Sequence, residues 1–557
     1  MRSPCLIIFP PVWEIGAPYL AGPTLVAYLR SLGVPATQFD ANLVFWRHFK
    51  GSRGARAIHD ACRKLSTSSE LAIDEAVAAR SVAQMQTDAF ERWFTASPLN
   101  SPIYRLLVRR FGGFYRRPPN VGTGTIDYHD GYFSDVSHSF AAFDSALLYE
   151  YLKDSNSNPW IDFASRYVVP RIDDERPSVL AISIVAPNQV VPALTIALLA
   201  RSTYPELPIA LGGSWVTQLR DRLHAVPWFS AAKLFLVPFQ GEAFLRALTR
   251  SARAGVPLPV PFTSKPTHFP TTHVPFDDVP TPEFDGLDLG GYADPGHLPL
   301  MASRGCYWGK CKFCSYPILE PQFEARSDKR ITEDIKSVVL QNGARHIAFV
   351  DPSLSVPLAS RIGTIVDSLG LNVTWGGFAR LEHRFTRDVL LNLSRRGCSV
   401  IHWGLESGSQ KMQDKICKGI SIETARRVLA DAAAVGIHNR VLMMYGLPDE
   451  TDQDLSASLA FIEDHLPTIG SVCWSHYAAE EGTPFGNDLL AIGAPERSST
   501  SLAFATRVES THSSSFLTSA IARMSELSAR TARKDRPKLP PPLPDYIRPS
   551  PAHEAER

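Results

Sequence analysis

The sequence predicts an α/β protein with two parallel-sheet domains in series, on three observations. Short apolar runs of strand length alternate with helical runs over the first 254 residues. The alternation restarts near Leu298 and gives six strand–helix units before residue 489. Between them lies GVPLPVPFTSKPTHFPTTHVPFDDVPTPEF (255–284), too rich in proline for a helix interior or a central strand. Parallel strands joined by crossover helices are covered on both faces, so they read as short, nearly continuous apolar runs.

In the first domain, 1–254, CLIIF (5–9) is a buried strand, 24–31 is helical, and 34–39 is a strand that ends at Asp40. The rhythm resumes with SVLAISIV (178–185), a helix over 191–202, LPIALGG (207–213) and KLFLVP (233–238). This is the pattern of a doubly wound, Rossmann-like sheet. A helical insertion occupies about 44–169, carried by AIDEAVAARSVAQMQTDAFERWF (72–94) and PIYRLLVRRF (102–111), whose apolar residues recur at helical spacing. Residues 255–296 read as an extended surface linker.

In the second domain, 297–489, the expected strands are LPLMASR (298–304), HIAFVD (346–351), NVTWGGFAR (372–380), SVIHWGLES (399–407), NRVLMMYGLP (439–448) and SVCWSHYA (471–478). The helices between them begin near Ser, Thr or Asp and several end at Gly, as caps require. Six such units predict a partial (β/α)6 barrel of TIM type. The remainder, 490–557, holds one helix at 516–529 and a Pro- and charge-rich tail that reads as disorder.

A chain of 557 residues exceeds what one core organises. Its 44% apolar and 20% charged residues are those of a globular protein, and a net charge of +1 predicts neither a nucleic-acid nor a membrane partner. The apolar N-terminal stretch 5–29 is interrupted by Pro10, Pro11, Glu14, Pro18 and Pro23, which predicts a strand, a loop and a helix rather than a signal peptide. Eight cysteines make no disulfide scaffold, and three of them cluster, so a reducing, cytoplasmic setting is expected.

The cluster is RGCYWGKCKFCSY (304–316), where Cys306, Cys311 and Cys314 are spaced C-x4-C-x2-C directly after the first barrel strand. Parallel barrels do their chemistry at the C-terminal ends of strands, and this loop is at that end. Three thiolates on a four-iron cube leave one iron open to a substrate or cofactor. The alternative is structural zinc, which needs a fourth ligand, and the nearest downstream histidine is His346. Cys398, Cys417 and Cys473 read as buried small side chains. Asp351, Arg380 and Glu406 each end a separate expected strand and so share one barrel mouth, with Arg380 suited to grip a carboxylate bidentately. Taken singly, Arg380 or Asp351 reads as a surface ion-pair member, and Glu406 as a cap of the helix that follows it.

A three-cysteine loop after strand one of a six-unit barrel resembles the radical S-adenosylmethionine (SAM) superfamily. That resemblance implies a 4Fe-4S cluster on Cys306, Cys311 and Cys314 whose open iron binds SAM. It also implies one-electron cleavage of SAM to a 5′-deoxyadenosyl radical. The family's usual spacing is C-x3-C-x2-C, so this chain carries one extra residue. Phe313 matches the aromatic that packs near the SAM adenine, and GLESGSQ (404–410) resembles the strand-four motif whose Glu and Ser approach SAM, here Glu406 and Ser407. KGI (418–420) and GLPDET (446–451) resemble segments around strand five. FVDPSL (349–354) stands where the family often has a Gly-Gly-Glu element, which leaves Asp351 as the candidate there.

The front domain resembles the cobalamin-binding domain of one large radical SAM subgroup. The matching stretches are FPP (9–11), FDANL (39–43), ISIVAPNQ (182–189), ALGGSWVT (210–217) and PFQGEAFLRAL (238–248). The resemblance places Ser183, Gly212, Gly213, Gly241 and Glu242 at cobalamin, since glycines at strand ends admit a close-lying ring or nucleotide tail. FPPVWEIG holds no histidine where a D-x-H-x-x-G loop would stand, and DYHDG (127–131) is a chance near match. The resemblance therefore implies cobalamin without a histidine lower ligand.

The expectation is a cobalamin-dependent radical SAM methyltransferase acting on an unactivated carbon, or phosphorus, of a natural-product or peptide substrate. SAM would serve both as methyl source and as radical source. A flavodoxin or ferredoxin would supply electrons. The alternatives are a radical cyclase, rearrangement or oxidation enzyme without methyl transfer, or a zinc-stapled binding module.

Overall fold

The computed structural model describes residues 4–50, 55–56, 59–60, 62–63, 80–96, 145–156, 158–186, 189–256, 258, 273–491, 505–507 and 512–532. The DYHDG stretch, the 102–111 helix, most of the 255–272 segment and the tail beyond 532 lie outside them. The described chain forms two units, one ending at Val274 and rejoined by Glu283–Pro295, the other built from Pro275–Pro282 and from Gly296 onward.

The first unit is a parallel sheet of β1 (Cys5–Phe9), β2 (Ala36–Asp40), β3 (Val179–Ser183), β4 (Ile209–Gly212) and β5 (Leu234–Val237). Its order is β2-β1-β3-β4-β5, with every pair parallel. This is the doubly wound order in which the winding reverses between β1 and β3, and ligands of such sheets lie outside the strand ends at that reversal. β1 and β3 are buried along their whole length, as both faces are covered. The helix Val190–Thr203 buries Val190, Val191, Leu194, Ile196 and Ala197, so it is apolar nearly all round.

The loops at the reversal are tied by side chains. Gln189, fully buried, accepts from Val185 N at 3.0 Å and donates to Pro10 O at 2.7 Å, joining the β3 and β1 loops. Asn42 Oδ1 accepts from Trp13 N, and Trp46 Nε1 donates to Trp13 O at 2.9 Å. Gly213 follows β4 with φ +98°, and a Cβ there would lie 2.3 Å from Ile184 O. Gly213→Ala adds that collision to a strained backbone, so it is expected to destabilise the unit by about 3 kcal/mol, read as a lowered denaturation midpoint.

Part of the Pro-rich segment is folded rather than extended. Phe276 and Val279 are buried within the barrel unit, Phe284 and Tyr292 within the first, and 3-10 turns form at Phe276–Asp278 and Leu289–Gly291. Aromatic residues interleaved with the prolines supply this burial. The unit boundaries therefore fall inside the stretch 255–296 that the sequence reads as one linker.

The second unit is a six-stranded parallel sheet: β6 (His297–Leu300), β9 (His346–Phe349), β10 (Thr374–Arg380), β11 (Cys398–Glu406), β12 (His438–Tyr445) and β13 (Ser471–His476). Each strand neighbours the next in that sequence, as in a partial barrel. The two-residue strands β7 (Ser303–Arg304) and β8 (Glu324–Ala325) pair antiparallel and bracket the cysteine loop. β14 (Ala478–Glu480) pairs with β15 (Ala505–Arg507), and the helix Ser514–Ala532 packs on Asp452–Asp464. Crossover helices carry the caps the sequence advertises, with Ser327, Ser355, Thr386, Ser409, Ser421 and Thr451 accepting from first-turn N–H groups. Among the described residues no helix is long and apolar enough to cross a membrane.

Candidate functional site

The cysteine loop begins at Gly305, whose φ of +72° and contact with Gln322 O leave no room for a side chain. Cys306, Cys311 and Cys314 are free and half-buried. Burial raises the pKa of the Cys311 thiol and pushes Cys314 up to about 12, while the Lys418 charge opposes both shifts. Cys311 and Cys314 are thus partly desolvated, and the Lys418 charge acts on both.

The loop is fixed by residues outside the cysteines. Lys312 N donates to Ile416 O at 3.0 Å, Trp308 Nε1 to Cys417 O at 3.0 Å, and the Tyr307 hydroxyl to Glu382 Oε1 at 2.7 Å. Arg380, ending β10, stacks on Trp308 with its guanidinium carbon 3.7 Å from the ring centroid. Its Nη2 donates to Lys418 O at 2.6 Å and Gly419 O at 3.2 Å, and its Nε to Lys418 O at 3.1 Å. Arg380 therefore clamps the cysteine loop to the 417–419 loop. Two of its nitrogens, Nε and Nη2, are thus engaged by backbone carbonyls, while Nη1 lies 3.5 Å from the Tyr307 hydroxyl and 3.9 Å from Glu382 Oε2. Arg380→Met leaves those buried carbonyls without donors and is expected to cost about 3 kcal/mol. Faster alkylation of the three thiols in the variant would report the loosened loop, and Arg380→Lys should not restore the stacked geometry.

The other sequence candidates fall in different places. Phe313 is partly buried and packs against an apolar cluster that includes Met412, Ile416, Leu447, Tyr477 and Phe485. Glu406 lies at a register shift in β11 with φ +69°, and its Oε1 accepts from Lys418 Nζ at 2.7 Å. Asp351 is fully buried and accepts from Ala302 N at 3.1 Å and Ser303 Oγ at 2.6 Å, joining the end of β9 to the exit of β6. Burial, opposed by those hydrogen bonds, holds its pKa up to about 6. Ser407 is also fully buried, with its Oγ 3.2 Å from Ser458 Oγ. Cys398 is buried, whereas Cys417 and Cys473 are half-buried, Cys417 because it belongs to the loop against Trp308. Trp308 and Tyr307, which sequence reasoning left unassigned, are aromatics inside the cysteine motif, and that position was their signal.

In the first unit, Ser183 and Gly212 are register partners at the ends of β3 and β4, with Gly213 next in the chain. Gly241 is the N-cap of the helix Glu242–Ala254, whose first residue, Glu242, is buried. The sequence thus placed all five at the C-terminal edge of one sheet or the helix turn that follows it. Gly213 is accounted for by its contact with Ile184.

The site is thus a cysteine loop that follows the first strand of a six-stranded parallel sheet and is clamped at the strand ends. Residues 300–462 match the family model described as the Radical SAM superfamily. An uncharacterized methyltransferase, PH0819, of Pyrococcus horikoshii is 28% identical over 191 residues, 33% of this chain and 41% of that protein. The anaerobic magnesium-protoporphyrin IX monomethyl ester cyclase of Rubrivivax gelatinosus is 22% identical over 340 residues, 57% of this chain and 59% of that protein. The chain thus spans less than two thirds of either relative. The structure of the radical S-adenosylmethionine methyltransferase TsrM from Kitasatospora setae, with cobalamin and a 4Fe-4S cluster bound, superposes with a TM-score of 0.58 at 13% identity. That likeness is one of fold and covers 97% of this chain and 94% of the other.

Proposed function

We propose that the chain is a cobalamin-dependent radical SAM enzyme that methylates an unactivated carbon, or phosphorus, of a small-molecule or peptide substrate. The observation that carries this reading is the pairing of a three-thiol barrel loop with a β2-β1-β3-β4-β5 sheet ahead of it. Three free, half-buried thiols in one loop make a donor set that fits a cube with one open iron, whereas a structural zinc ion needs a fourth ligand.

A cluster and cobalamin, when bound, would supply one-electron reduction of SAM and a transferable methyl group. The chain's own residues do the rest. Cys306, Cys311 and Cys314 hold the cluster, Phe313 forms an apolar wall, and Glu406 offers a carboxylate for the SAM amine. Arg380, Asp351 and Ser407 brace the strand ends that carry them. In the first unit, Ser183, Gly212, Gly241 and Glu242 border the crevice for the corrin and its tail, and the 10–20 loop contributes no histidine. A flavodoxin or ferredoxin is the electron donor we assign.

The test is anaerobic reconstitution followed by desalting with hydroxocobalamin and incubation with SAM and reductant. Retained iron, sulfide and corrin with 5′-deoxyadenosine release support the reading. Absence of retained corrin removes cobalamin, and absence of iron removes the radical chemistry. Cyclisation without methyl transfer is the second reading, supported by the 340-residue match to the cyclase, and deoxyadenosine without S-adenosylhomocysteine would favour it.

A further inference from the structure

Two buried, oppositely charged side chains meet beside the cysteine loop. Lys418 Nζ donates to Glu406 Oε1 at 2.7 Å, and each residue is 8% exposed. Stability does not explain such a pair, since desolvation of both charges offsets most of their attraction. Its placement is built from two directions. The register shift in β11 turns Glu406 into the site, and Arg380 holds the Lys418 carbonyl through two of its nitrogens while stacking on Trp308 of the cysteine loop. The ammonium lies 5.5 Å from the Phe313 ring, in the residue adjoining Cys314. Burial works against the Lys418 charge, but Glu406, Cys311 and Cys314 together overcome it and raise its pKa, so it remains an ammonium. Its charge acts on Cys311 and Cys314, whereas that of Glu406 acts on Cys311 and more weakly. A fixed cation therefore neighbours the donor set, and its counter-ion cancels only part of its field.

We propose that Lys418, anchored by Glu406 and Arg380, sets the reduction potential of the iron–sulfur cluster held by Cys306, Cys311 and Cys314. This rests on the proposed function. Three thiolates on an oxidised cube already carry net negative charge, and the electron that starts the reaction adds to it. An ammonium in a site of low dielectric favours the more negative, reduced form. No bond forms or breaks in this step. One electron passes from an external one-electron donor to the cluster, and Lys418 keeps its proton.

The experiment is a redox titration of reconstituted, SAM-free protein with dithionite, following the reduced cluster by electron paramagnetic resonance. Lys418→Met is expected to shift the reduced-to-oxidised ratio at fixed potential about tenfold toward oxidised, which is about 59 mV for one electron. Lys418→Arg, which keeps the charge, should stay near wild type, and Glu406→Gln should shift the ratio the other way. A Lys418→Met protein that holds its cluster at the wild-type potential overturns the proposal. Where Lys418→Met fails to retain iron, Glu406→Gln decides, and an unmoved potential there overturns it equally. A wild-type chain that takes up no iron overturns the proposed function itself, so iron content separates the two failures.

Discussion

Replacing any one of Cys306, Cys311 or Cys314 with alanine is expected to take the reconstituted protein from about four irons per chain to fewer than one. SAM cleavage should fall to background with it. The size of the effect follows from the geometry. The loop offers only these three thiols, and the next cysteine in the chain, Cys398, is 2% exposed within β11. Cys417 is close in space, since its carbonyl accepts from Trp308 Nε1, but its own thiol lies against the carbonyls of Asp414 and Lys415. It is therefore the control for specificity. Cys417→Ala should retain iron, whereas a loss equal to that of the loop cysteines would enlarge the donor set and alter the open-iron argument. Cys398→Ala should cost about 1 kcal/mol of stability and leave iron content unchanged. Iron and sulfide analysis and the rate of deoxyadenosine release check all five variants.

The sequence discloses what depends on local chemistry and conceals what depends on contacts between distant segments. Strand positions were legible because buried parallel strands such as CLIIF and HIAF have no polar face to hide. Helix starts were legible from Ser and Thr, as where Ser327 caps the helix that begins at Asp328. The thiol spacing identified the cysteine loop. The guanidinium of Arg380 could not be read this way, because the carbonyls that engage it lie at Lys418 and Gly419, 38 and 39 residues further along the chain. Ser407 shares its motif with Glu406, yet the register shift in β11 turns one toward Lys418 and the other toward Ser458. Gln189 closes the ISIVAPNQ stretch, but its role as a tie between loops appears only when β1 and β3 become neighbours.

Acidification supplies the second large expected effect, and it originates at the other end of the barrel. His297 and His346 open β6 and β9 with ring centroids 4.4 Å apart, His402 lies in β11, and His438 opens β12. Burial first, then the charges of His297 and His402, lower the pKa of His346 to about 3. Burial first, then Arg440, His297 and His438, lower that of His402 to about 3. Unfolded histidine takes up its proton near pH 6.5, so between pH 6.5 and 3 the unfolded chain binds more protons than the folded one. Stability is therefore present above pH 6.5 and is lost as the pH falls. At pH 5 each histidine removes about 2 kcal/mol, about 4 together. Asp351 works in the opposite sense, because its folded pKa of about 6 exceeds the unfolded carboxylate value. Acidification to pH 5 returns about 1 kcal/mol there, leaving a net loss of about 3 kcal/mol out of a domain's total of about 5–15. Denaturant unfolding of the cofactor-free protein at pH 7.5 and pH 5 should register that loss. In the His346→Asn, His402→Asn double variant, which starts less stable, the same change should be flat or slightly stabilising, since only the Asp351 contribution remains of these three. An undiminished acid loss in the double variant would assign it to other groups and leave the barrel histidines without this role.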